Sequence, residues 1–190
     1  PGSNDNVHIR ASVNVFFSNV VDIASLVISN GACLSANFTG ANIAIRDRSA
    51  VDTSGNTAFG IRVRGDVTML GTGKLYIGGH GQKAPSILDV KGNLALSGTA
   101  NELALYACPT NNNPTDFQTG GARVTVGGNT TIAAGCWIYP FTERTTGRTV
   151  IFDLRDLSVA ANGGFNGKAI GFIRATTVPC SQDTGLWTPG

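Results

Sequence analysis

Val63-Arg64-Gly65-Asp66-Val67-Thr68-Met69 is echoed by Val90-Lys91-Gly92-Asn93-Leu94-Ala95-Leu96 and again by Val126-Gly127-Gly128-Asn129-Thr130-Thr131-Ile132. Each copy reads as an apolar residue, a variable one, Gly, Asp or Asn, then an alternating pair. A fourth copy, Leu154-Arg155-Asp156-Leu157-Ser158-Val159, keeps the acidic residue and the alternation but is one residue short. A fifth, Leu26-Val27-Ile28, keeps the alternation alone. Self-similarity at a fixed period takes precedence over element-by-element assignment, because missing it misassigns the whole fold.

The period is 27 residues from Val63 to Val90 and 36 from Val90 to Val126, the excess matching an inserted loop that begins at Cys108 and ends at Phe117. Each copy is followed by a second alternating pair: Leu34 with Ala36, Leu75 with Ile77, Leu103 with Leu105, and Trp137 with Tyr139. Period-two alternation specifies strands, whereas helical repeats would alternate at 3.6. A single repeat cannot bury its apolar face alone, so repeats must stack on one another at about 4.8 Å. Val63, Val90 and Val126 then form one inward column, and Met69, Leu96 and Ile132 another. Arg62, Arg64, Lys91 and Thr68 point outward, and Asp66, Asn93, Asn129 and Asp156 form a ladder. The Gly-Asp or Gly-Asn pair is expected to make a bend with positive φ, which those residue types tolerate best.

Composition agrees. The chain holds 25 Gly, four Lys, two Glu and one Met, so strong helix formers are scarce. Its Val, Ile and Thr suit short strands. The expected fold class is all-β: a single-stranded right-handed parallel β-helix solenoid of about five turns. Residues 1–3 match a cloning scar. Residues 4–190 are expected to form one domain, with the repeat over about residues 20–170 and caps on either side. Trp187 suits a cap.

This pattern resembles the right-handed parallel β-helix, or pectin-lyase-like, superfamily, especially the repeat-bearing passenger regions of bacterial surface and autotransported proteins. The resemblance rests on the V-x-G-[DN]-x-x-[LIM] repeats. It implies a secreted or cell-surface protein with elongated flanks that meet extended polymers.

Several function classes recede on composition alone. Net charge is +2 without a basic run or an interleaved aromatic stripe, so nucleic acid is not an expected partner. The best apolar run, residues 20–28, is short and interrupted by Asp22, so no membrane insertion is expected. Cys33, Cys108, Cys136 and Cys180 lack the paired spacing of a zinc or redox site, and His8 and His80 lie far apart, so no metal and no cofactor are expected.

Candidate residues remain. Gly79-His80-Gly81 echoes an element of polygalacturonases, which the chain would resemble in fold, but their companion carboxylate motifs are missing and hydrolysis needs two carboxylates. Arg46-Asp47-Arg48, with Asp52 nearby, is the densest charge cluster and the one candidate for lyase chemistry; a solvated turn with local ion pairs is the plainer reading. Arg64-Gly65-Asp66 spells an integrin-binding tripeptide, yet the same column reads Lys-Gly-Asn and Gly-Gly-Asn, so the repeat explains it. Trp137, Tyr139 and Phe141 alternate onto one face and are expected in the interior, the alternative being a sugar-stacking platform. Asn37 and Asn129 head glycosylation sequons.

The expected function is a non-enzymatic extracellular or cell-surface structural or adhesive module, with a polysaccharide or cell-surface glycan as partner and end-to-end or other homo-oligomer contacts open to it. The alternative is a polysaccharide-active lyase or hydrolase using His80, Arg46, Asp47 and Asp52. No Cys33–Cys136 disulfide is expected, since their repeats lie about 14 Å or more apart. Cys108 with Cys180 is the pairing left open.

Overall fold

A computed structural model describes residues 1–17, 20–36, 59–78, 85–108, 121–143 and 148–167. The strands are β1 (Asn6–Ile9), β2 (Asn14–Phe17), β3 (Val20–Ile23), β4 (Ser25–Ile28), β5 (Cys33–Ala36), β6 (Phe59–Val63), β7 (Val67–Met69), β8 (Lys74–Ile77), β9 (Ser86–Val90), β10 (Leu94–Leu96), β11 (Glu102–Tyr106), β12 (Ala122–Ile132), β13 (Trp137–Phe141), β14 (Val150–Val159) and β15 (Gly164–Phe165).

All described pairings are parallel, but the single-stranded solenoid of about five turns is corrected. The strands form two parallel sheets. The smaller has six strands in the order β15-β13-β11-β8-β5-β2. The larger has nine: a nearly closed, barrel-like path β1-β4-β7-β10-β12-β9-β6-β3, with β14 added on β12. The reason lies in β12. Elsewhere the Gly-Asp or Gly-Asn step divides two short strands, whereas β12 runs through it for 11 residues. Its first half pairs with β9 (Val126 with Val90) and its second half with β10 (Thr130 with Leu94), joining two ladders into one sheet. Pairing also reaches upstream of the motif: Val7 of β1 sits beside Leu26, and Val15 of β2 beside Leu34.

The repeat register is as the sequence specifies. Val63 pairs with Val90 and Val90 with Val126; Met69 pairs with Leu96 and Leu96 with Ile132. All six are buried in the main core, while Arg62, Arg64 and Lys91 are exposed and Thr68 is half-buried. Inner positions are also polar at Ser86, whose hydroxyl donates to the Ile77 and Tyr106 carbonyls, and at Thr130. Thr130 is fully buried and its hydroxyl has no hydrogen-bond partner.

The Gly-Asx step needs a different explanation from positive φ. None of Gly65, Gly92, Gly128, Asp66, Asn93 and Asn129 has it. Glycine is needed here because successive backbones touch. A Cβ on Gly92 would collide with the Asp66 carboxylate and lie 2.6 Å from the Gly65 carbonyl oxygen. The Gly92 amide donates to that carbonyl at 2.9 Å, and the Gly128 amide donates to Gly92 at 2.8 Å. Beside this seam runs the Asx ladder. The Asn93 amide donates to Asp66 Oδ1 at 2.7 Å, the Asn129 amide donates to Asn93 Oδ1 at 2.9 Å, and Asp156 pairs with Asn129. Each side chain thus satisfies the backbone of the next repeat, as Asn and Asp do wherever a ladder hydrogen bond is interrupted.

Positive φ appears instead at tight turns ahead of the six-stranded sheet: Ser12, Gly31, Gly135 and Asn162, each the third residue of a turn closed by an i to i+3 bond. For example, the Ala32 amide donates to the Ser29 carbonyl at 3.0 Å, and the Cys136 amide to Ala133 at 3.1 Å. A positive φ at this place requires Gly or Asn, or else a strained Ser. In the repeat that holds β10 and β11, this bend is organised by Asn101. Its side chain is fully buried, with Oδ1 accepting from the Gly98 amide at 2.7 Å and Nδ2 donating to the Leu70, Gly71 and Gly73 carbonyls at 3.2 to 3.3 Å.

Candidate binding face

His80, Arg46, Asp47 and Asp52 lie outside the described residues, as do Arg48, Asn37, residues 109–120, Cys180 and Trp187. What can be placed is the rest. The Arg64-Gly65-Asp66 tripeptide lies along the seam between repeats, not on a loop tip. Asp66 Oδ1 accepts both the amide and, at 3.2 Å, Nδ2 of Asn93, and Arg64 pairs with Asp22 at 3.5 Å. Among the described residues, no group of three or more His, Cys, Asp or Glu could hold a metal ion. No described helix is long and apolar enough to cross a membrane.

The interior placement of Trp137 and Tyr139 is corrected. Leu103 pairs with Ile138, so Ile138 continues the inner column of Leu34, Leu75 and Leu103, and Trp137 and Tyr139 turn outward. The aromatic alternation is on the opposite phase from the one its hydrophobicity suggests. The outer face accommodates it because that face is itself aromatic.

On the outside of the six-stranded sheet, Tyr76, Ala104 and Tyr139 are register neighbours, and Tyr106 pairs with Phe141. Tyr106 and Phe141 stack with centroids 4.3 Å apart and planes 1° from parallel, and Tyr139 stacks on Phe141 at 6.4 Å. Tyr76, Ala104, Tyr106 and Phe141 form a second buried cluster, against which Cys33 and Tyr139 pack. Such offset aromatic pairs add about 0.5–1.5 kcal/mol beyond their area. The adjoining column reads Cys33, Lys74, Glu102, Trp137. Tyr76 Oη donates to Glu102 Oε2 at 2.7 Å, and Lys74 Nζ lies 3.7 Å from Glu102 Oε1. Trp137 and Tyr139 remain half-exposed beside this acid and lysine.

The outer face of the larger sheet is charged instead. Asp22, Arg62, Asp89, Thr125 and Asp153 follow one another across it, and Lys91–Asp89 at 2.9 Å and Arg123–Asp153 at 3.0 Å close ion pairs along it. These pairs are solvent-exposed and each contributes little to stability.

Cys33, Cys108 and Cys136 are free thiols, so no Cys33–Cys136 bond exists. The register adds a further reason against it: Cys33 shares its column with Trp137, not with Cys136. Burial raises the Cys33 thiol, which the neighbouring Lys74 partly offsets and Glu102 reinforces. Burial pushes Cys108 up to about 12, with a backbone hydrogen bond and Arg148 acting the other way and Glu143 adding to the rise. The sign of the pH effect follows. Above the ordinary thiol value of 9.0, the unfolded chain loses a proton that the folded chain keeps. The native state therefore carries more protons, and stability falls from about pH 9 toward pH 12. Urea midpoints at pH 7, 9 and 10.5 are expected to decline over the last interval, with a smaller decline in Cys108→Ala. An unchanged slope in that variant would show that the thiol is not the cause.

Compared with known proteins, the chain matches no family model, no curated protein and no solved structure.

Proposed function

We propose that the chain is a non-enzymatic extracellular or cell-surface module of structural and adhesive type, holding a glycan on the outside of its six-stranded sheet. The observation that supports this is the pairing of half-exposed Trp137 and Tyr139 with Glu102 and Lys74 in adjoining register positions. Flat aromatic surface takes the apolar face of a sugar ring, and charged groups alongside take its hydroxyls, the mixture common to small-molecule binding surfaces. Strand pairing fixes their spacing at about 4.8 Å, so the face is rigid before any ligand arrives.

A glycan array read with the full chain is expected to give a defined set of ligands, and Trp137→Ala to weaken binding at least tenfold with an unchanged thermal midpoint. Binding that survives this substitution would move the site elsewhere. The polysaccharide-active alternative rests on Arg46, Asp47, Asp52 and His80. New reducing ends or unsaturated products from pectin or alginate would replace the proposal with it.

A further inference from the structure

The two ends of the ladders complement each other, and we propose that the chain assembles head to tail, the β14 and β15 edge of one copy pairing with the β1 and β2 edge of the next. Within the described residues, β14 pairs only with β12 and β15 only with β13, while β1 pairs only with β4 and β2 only with β5. The β14 edge is ten residues long and apolar at its inner positions: Leu157 is 50% exposed, Val159 43% and, on β15, Phe165 39%. Proteins that avoid edge pairing place inward-pointing charges, prolines or bulges there. This edge has none at those three positions.

Register identifies the second copy as the occupant. One inner column runs Val7, Leu26, Val67, Leu94, Thr130, Leu157, so the residue that comes next on Leu157 in a continued ladder is Val7 of another copy. In the same register Val159 meets Ile9, and Phe165, which follows Val15, Leu34, Leu75, Leu103 and Ile138, meets Val15. The polar seam continues too. Asp156 ends the Asx ladder with its carboxylate exposed, and Asn6 stands at the other end of the same column, beyond Ser25, so the Asn6 amide would donate to Asp156 as the Asn93 amide donates to Asp66. Arg155 immediately precedes Asp156, and Asp5 immediately precedes Asn6. The guanidinium of one copy therefore faces the carboxylate of the next. Arg155 is well exposed and, among the described residues, pairs only with its own neighbour Asp156, at 3.4 Å, so it is available to turn. A head-to-tail contact of this kind joins two unlike surfaces and builds open filaments unless the rotation closes a ring.

Sedimentation velocity of the full chain across micromolar to millimolar concentration, with hydrogen exchange along β14, tests this. The expected result is concentration-dependent growth and, in parallel, slowing of β14 amide exchange. Leu157→Lys should abolish growth. Arg155→Asp and Asp5→Arg should each weaken it at least tenfold, and together restore most of it; both sites are exposed, so folding, followed by circular dichroism, stays intact. A monomer at every concentration overturns the proposal. So does assembly that ignores the charge swaps, which would place the contact on another surface. Protection of β14 at all concentrations would also overturn it, since the chain itself would then cover the edge.

Discussion

Asn101→Leu is expected to lower the free energy of unfolding by about 3–5 kcal/mol. Asn101 is fully buried, shares the branched heavy-atom arrangement of leucine though not its bulk, and its amide ties together two consecutive repeats. Leucine would fill the space but leave the Gly98 amide without its acceptor and the Leu70, Gly71 and Gly73 carbonyls without their shared donor. Each buried polar group so stranded costs about 1–3 kcal/mol. Cys136 Sγ, 3.5 Å from Asn101 Oδ1, also loses a contact but keeps its 3.2 Å bond to the Gly98 carbonyl. Asn101→Asp is the informative companion. It keeps the acceptor for Gly98 and replaces a donor by a buried charge facing three carbonyls, so it should be at least as damaging at pH 7 and recover partly on acidification. Urea unfolding at pH 7 and pH 4 reads both; a loss under 1 kcal/mol for leucine would mean the bend holds without the amide.

The register of the repeat was legible in the sequence, for a physical reason, whereas the division of the strands into two sheets was not. The alternation of Val63, Val67 and Met69 with Arg62, Arg64 and Thr68 recurs after 27 and then 36 residues, and only in-register parallel pairing buries every copy at once. The Asx ladder followed from the same spacing. What was not legible depends on single-residue differences that periodicity cannot see. Six residues separate Ile132 from Ile138 but seven separate Leu96 from Leu103, and the added one makes room for Asn101. Trp137 and Tyr139 look like core because they are apolar, yet the register gives the inner position to the residue between them. The merging of two ladders through β12 is likewise invisible in a motif that β12 shares with β7 and β10. The candidate binding face emerges only when strands from four separate repeats are laid side by side, since Tyr76, Glu102 and Trp137 are not neighbours in any window of the chain. The short motifs that did stand out, at His80 and at Arg46 to Asp52, lie outside the described residues.

Gly92→Ala should cost more than about 3 kcal/mol, a large fraction of the usual stability of about 5–15 kcal/mol. The glycine has ordinary backbone angles, so propensity alone would favour alanine. Sterics decide otherwise. The new Cβ would strike the Asp66 carboxylate and approach the Gly65 carbonyl carbon and oxygen to 2.7 and 2.6 Å. Relief requires separating two backbones joined by the Gly92-to-Gly65 hydrogen bond, which also breaks the 2.7 Å bond from the Asn93 amide to Asp66. Because Gly128 in turn donates to Gly92, the displacement reaches the next repeat as well. Two controls isolate the cause. Gly167→Ala, where nothing lies within 4 Å, should change stability by less than about 0.5 kcal/mol. Gly92→Ala combined with Asp66→Ala removes the carboxylate but leaves the backbone clash, so it should recover only a minor part of the loss. Thermal and urea unfolding of the four proteins settle the point: full recovery in the double variant would show that the side chain, and not the touching backbones, requires glycine at this step of the repeat.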